Sequence, residues 1–136
     1  MNLYGLKQLI DSLRTVRKNT IQIAEDIPEE QYGYRPTPES RSLAEILVHI
    51  ALLSQVDRRL HGDKRVSSLE GFDFGELIEQ SEAEEKRPRA KSEIVALLRT
   101  GGERHCEWLG TERLLGIVPH LTRQRRETSL NHRVAR

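Results

Sequence analysis

Histidine is the side chain of this sequence best suited to chemistry near neutral pH, since imidazole there can carry a proton or bind a metal. The histidines stand at His49, His61, His105, His120 and His132, and no two of them are four residues apart. A pair at that spacing would share one helix face and could grip a metal together. His49 lies beside an apolar stripe, where a lone histidine is more often a hydrogen-bonded core residue than a ligand. His61 precedes Gly62 at a helix end, where a histidine meets the helix dipole favourably. His105 and Cys106 are adjacent, so on a helix they point about 100° apart and make a poor nucleophile–base pair. We therefore expect a surface His105 and a structural Cys106. Glu82, Glu84 and Glu85 read as a solvated charge run. The sequence holds no glycine-rich phosphate loop, no nucleophile elbow and no zinc-finger spacing.

Helices must position these groups. From Leu3 to about Asp26, Leu3, Leu6, Leu9, Ile10, Leu13, Val16, Ile23 and Ile27 recur at steps that place one stripe on a long helix. Pro28, Pro36 and Pro38 punctuate the stretch from Ile27 to Arg41, which predicts an extended connection with Tyr32 and Tyr34 pinning it by packing. Ser40 or Ser42 can cap the next helix, and Glu45 stands at capping-box distance from Ser42. That helix should run from Leu43 to Leu60 and bury Leu43, Ile46, Leu47, Ile50, Leu53 and Val56. A short helix is predicted from Phe72 to Glu85, with its second half solvated. Another is capped by Ser92 and carries Ile94, Val95, Leu97, Leu98, Cys106 and Trp108. Gly101 and Gly102 weaken it by about 1 kcal/mol each relative to alanine. Leu114, Leu115, Ile117 and Val118 suffice for two turns before Pro119. The reading is one all-α domain over 1–118, followed by a basic, disordered tail over 119–136.

Composition agrees. The chain has 136 residues, of which 36% are hydrophobic and 32% charged, a balance suited to amphipathic helices and not to a buried parallel sheet. The net charge is only +1. The tail nevertheless holds Arg123, Arg125, Arg126, Arg133 and Arg136 against Glu127 alone, which leaves the body acidic. Such a tail could touch phosphates, but it lacks interleaved aromatics, so nucleic acid is not the expected partner. A single cysteine excludes an internal disulfide. No signal peptide or membrane span is legible, so the expected location is cytoplasmic and no membrane partner is expected.

The stretch Ile27-Pro28-Glu29-Glu30-Gln31-Tyr32-Gly33-Tyr34-Arg35-Pro36, followed by Ser40-Arg41-Ser42-Leu43-Ala44-Glu45-Ile46-Leu47-Val48-His49-Ile50, resembles the DinB/YfiT-like family. Lys91 to Leu109 looks like that family's third helix, and Arg113 to Ile117 like the close of its fourth. The resemblance implies an up-down helical bundle. It also implies a divalent-metal site in which His49 joins an H-x-x-x-H pair from the last helix. Zinc or nickel would be the cofactor, and the activity that of a transferase using a small-molecule thiol, or of a hydrolase.

The chain departs from the family where the pair should be. Trp108-Leu109 runs almost directly into Arg113, so the fourth helix is expected to be shortened or absent. Asp57, Glu45, His105 and His120 are conceivable replacement ligands, but their spacing does not recommend them. No catalytic residue can be named. Three kinds of function stay open: a metal-dependent transferase or hydrolase with His49 as one ligand, a silent helical domain acting through association, or, least expected, a small nucleic-acid-associated protein using its basic tail. The missing pair tilts the balance toward the second. The apolar stripe left uncovered would favour a homodimer.

Overall fold

The computed structural model describes residues 5–58 and 73–111. They form four α-helices and one short 3-10 turn, with no strand among them. The all-α reading is therefore met. The expected helix end at His61-Gly62, the shortened fourth helix, the tail, and His61, His120 and His132 lie outside the described residues.

Helix α1 spans Leu6–Asp26 and ends at Ile27, whose N–H still donates to Ile23 O at 3.2 Å before Pro28 ends the pattern. Its inward face is only in part the stripe that periodicity picked out. Ile21 and Ala24 are buried, with Ile10, Leu13 and Arg17 half-buried, whereas Leu9, Val16 and Ile23 are exposed. The reason lies in the partner helix. Helix α4 covers the side of α1 that carries Ile21, Ala24 and the aliphatic stem of Arg17, against which Gly102 lies.

The connection turns through Glu29–Gln31 as a 3-10 turn. Tyr32 is buried and its hydroxyl donates to Ala24 O at 2.6 Å, while Tyr34 stays exposed. Burial pushes the Tyr32 hydroxyl pKa up, and the nearby Glu29 and Glu25 add to the effect. One of the two expected anchors thus packs and the other does not.

Helix α2 spans Leu43–Arg58. Its start is closed completely by local chemistry. Leu43 N–H donates to Tyr34 O, Ala44 N–H to Tyr32 O, and Glu45 N–H to Ser42 Oγ. Glu45 returns a carboxylate to Ser42 N–H at 2.8 Å, so the predicted capping box is present and Ser42 is its cap. Arg35 grips the same carboxylate through both terminal nitrogens, at 2.9 and 2.6 Å. Leu47, Val48 and Ala51 are buried, but Ile46 and Leu53 are exposed. Two helices cover α2 from different sides, and that broadens and rotates its buried face.

Helix α3 spans Phe74–Lys86, starting two residues later than expected, with Asp73 as its cap. Helix α4 spans Lys91–Leu109. Ser92 is not its cap. The Glu93 carboxylate closes on Ala90 N–H at 2.7 Å, and Glu29 accepts from Lys91 N–H at 2.9 Å. Lys91 Nζ reaches back to the carbonyls of Glu25 and Ile27 at the end of α1. Since Gly110, at the other end of α4, lies against Ile10, α1 and α4 run antiparallel.

Helix α4 packs on both α1 and α2, and α3 packs on α2. Ile94 and Leu98 are fully buried at the centre, beside Ile21, Ala24, Tyr32, Leu47, Val48 and Ala51. Full burial of a side chain of that size is worth about 1.5–3 kcal/mol. Leu109 is buried too, though periodicity did not select it. The two glycines also need a different account from the one composition gives. A Cβ on Gly101 would stand 2.9 Å from Ala51 O, and one on Gly102 would stand 2.7 Å from Arg17 Cγ. They lower helix propensity, but they also let α4 lie against the α2 backbone and the Arg17 stem. No helix of the described residues is long and apolar enough to cross a membrane.

Candidate functional site

His49 sits two turns into α2, half-exposed, on the side that faces α3. Its Nδ1 lies 2.6 Å from Glu85 Oε1. The other oxygen of that carboxylate, Oε2, accepts from Arg41 Nε at 2.6 Å. Three separate elements therefore meet: the residue just before the α2 cap, the second turn of α2 and the last turn of α3. The side chains are 47% (Arg41), 38% (His49) and 4% (Glu85) exposed, so a buried carboxylate is held between two partly hydrated groups. The hydrogen bond to Glu85, followed by the charge of that carboxylate, raises the Arg41 pKa above its ordinary value.

This corrects the expectation for the acidic run. Glu82 and Glu84 are exposed, but Glu85 is buried and engaged. The sequence carried a usable signal. Leu77, Ser81 and Glu85 follow one another at steps of four, and these are the positions of α3 that turn away from solvent. Glu85 thus continues the row begun by Leu77, but its charge hid it. Arg41, in a proline-punctuated loop, gave no periodic signal at all.

The conceivable substitute ligands do not gather around His49. Glu45 is committed to Arg35 and Ser42, and the Arg35 hydrogen bond, which outweighs burial, holds its pKa below the ordinary 4.5. His105 is half-buried and stacks on Trp108 with ring centroids 5.8 Å apart, so it is not the surface residue expected. The Asp57 side chain and His120 are outside the described part. Cys106 is buried as expected of a structural residue, and burial raises its thiol pKa. Among the described residues no three His, Cys, Asp or Glu side chains come together as a metal-holding group. His49 with its carboxylate partner fits one position of a divalent-cation shell. The described residues do not fit a whole one.

A second charged group lies inside the bundle. Arg17 crosses from α1 to α2 and donates from both terminal nitrogens to Ile50 O, at 3.3 Å each. Burial lowers its pKa from the ordinary arginine value. A concave surface among Glu25, Lys91, Arg99 and Glu107 lies along α1 and α4 and includes no member of the Arg41–Glu85–His49 group.

Comparison with known proteins adds a family. No curated protein and no solved structure shows significant similarity to the chain. The model of the DinB superfamily matches residues 12–125, which covers all of α2, α3 and α4, most of α1, and the His49 site. The match extends over most of the sequence, and the helical architecture agrees with it: this chain belongs to the DinB superfamily.

Proposed function

We propose that the working atom of this DinB-superfamily chain is His49 Nε2, offered as ligand or base in a transferase or hydrolase reaction. The observation that carries this reading is the buried Glu85 carboxylate against Nδ1 of the same ring. A carboxylate partner of this kind orients an imidazole and raises its basicity as a ligand. A divalent cation, zinc or nickel, is what the family resemblance calls for at that nitrogen, with a small-molecule thiol or water as the group it would activate. Its remaining ligands would have to come from residues outside the described part or from a second copy.

Elemental analysis of the purified chain after incubation with zinc and nickel tests the proposal, alongside His49→Ala. About one equivalent of metal, lost in the variant, is the expected result. No metal, or equal metal in both proteins, would overturn the ligand role of His49.

A second reading has its own support: a domain acting through self-association. Leu9, Val16 and Ile23 recur every seventh residue along α1 and are exposed, as are Ile46 and Leu53 of α2. Apolar rows at that spacing are suited to covering by another helix, and a second copy of the chain would supply one.

A further inference from the structure

We propose that Glu85 is the positioning residue of this site: it fixes His49 in the tautomer with the proton on Nδ1 and the lone pair on Nε2, while Arg41 holds the carboxylate in register. The role of Nε2 as working atom rests on the function proposed above. The tautomer does not.

A neutral imidazole has one N–H and one lone pair, and the hydrogen bond made by one nitrogen decides what the other can offer. An ionised carboxylate can only accept. With Glu85 Oε1 at 2.6 Å from Nδ1, the proton belongs on Nδ1. Nε2 is then left to accept a proton or bind a ligand, and among the described residues it makes no hydrogen bond.

The carboxylate is fixed at both ends. Oε2 receives Arg41 Nε at 2.6 Å while Oε1 receives the ring. Rotating the carboxyl group to release His49 would also break the Arg41 bond, in a place where the Glu85 side chain is only 4% exposed and water is a poor substitute. Each supporting residue is anchored in turn. Arg41 precedes Ser42, whose reciprocal bonds with Glu45 fix the backbone at the start of α2. Glu85 lies in the same row as Leu77 and Ser81, so the docking of α3 on α2 sets its position. Orientation of the ring thus depends on a helix that carries none of the expected ligands.

A plain ion pair would need an imidazolium protonated on both nitrogens, which has no tautomer, so the tautomer of the neutral ring is the discriminating observable. It can be read in the full chain from long-range proton–nitrogen correlation spectra of the neutral ring, which distinguish the two tautomers. The His49 signals are identified by their loss in His49→Ala. We expect the Nδ1–H form to dominate in the unmodified protein and to give way to Nε2–H in Glu85→Ala. An Nε2–H form in the unmodified protein would overturn the proposal, and so would an unchanged tautomer in folded Glu85→Ala. If Glu85→Ala does not fold, the spectrum of the unmodified protein decides alone. Nickel titration of the same samples separates the two ideas. A 10–100-fold weaker affinity in Glu85→Ala is expected if Nε2 is a ligand. A switched tautomer with no nickel bound by either protein would uphold the role of Glu85 and sink the metal reading.

Discussion

Glu85 and His49 stand thirty-six positions apart and meet at 2.6 Å, with Arg41 closing the other side of the same carboxylate. Of the three, only Glu85 is removed from water. The consequences of deleting each member therefore differ, because a stranded group costs most where it cannot be rehydrated.

Arg41→Ala should destabilise more than Glu85→Gln. The first leaves a buried carboxylate with an imidazole as its one partner, at a cost of about 1–3 kcal/mol. The second keeps an acceptor oxygen for Arg41 and turns an amide donor toward His49 Nδ1, which the neutral ring can meet by switching tautomer, and should cost under about 1 kcal/mol. Urea melts of the two variants at neutral pH check the order. Equal losses would mean that Arg41 does not shield the carboxylate.

The α2 cap should respond to acid. The pKa of Glu45 is held below its ordinary 4.5 in the folded chain, chiefly by Arg35. Its contribution is then present above the unfolded value and fades as pH falls through the lower folded one. Between about pH 6 and about pH 3, Glu45→Gln should lose less stability than the unmodified protein. Ser42→Ala should cost about 0.5–2 kcal/mol at neutral pH. Denaturant midpoints across that range measure both.

Replacing either glycine of α4 sets helix propensity against packing. Alanine gains about 1 kcal/mol of propensity at each position. At Gly101 the new Cβ meets the Ala51 carbonyl, which is backbone and cannot swing aside, whereas at Gly102 it meets the Arg17 side chain. Gly101→Ala should lose about 1–3 kcal/mol net. Gly102→Ala should lose less, because Arg17 can re-route at the expense of its bonds to Ile50 O. Thermal melts decide, and a stabilised Gly101→Ala would show that the helices do not approach so closely.

If the exposed apolar rows are a contact between copies, charge placed on them should dissolve it. Val16 is 63% and Leu53 49% exposed, so a Val16→Lys, Leu53→Lys chain should keep its helical circular dichroism and lose its dimer. Light scattering across a concentration series is the measurement. A monomer before mutation would remove the association reading.

The sequence by itself determined the helical class, the position of α1, α2 and α4 to within a few residues, the Ser42–Glu45 cap and the resemblance to the DinB family. All of these rest on local order: apolar spacing, proline stops and a capping pair three residues apart. It also selected His49, through the motif around it. What only the tertiary structure decided was which face of each helix is inside, and what His49 touches. Leu9, Val16 and Ile23 look as apolar as Ile21 and Ala24 along α1, yet the packing of α4 on α1 leaves the second set buried and the first exposed. Glu85 reads as a solvated charge until α3 lies on α2 and carries it to Arg41 and His49. Periodicity records that a helix has a preferred side. The partner that covers it, and the charges stranded beneath, are settled by contacts between residues far apart in the chain, where no local pattern can register them.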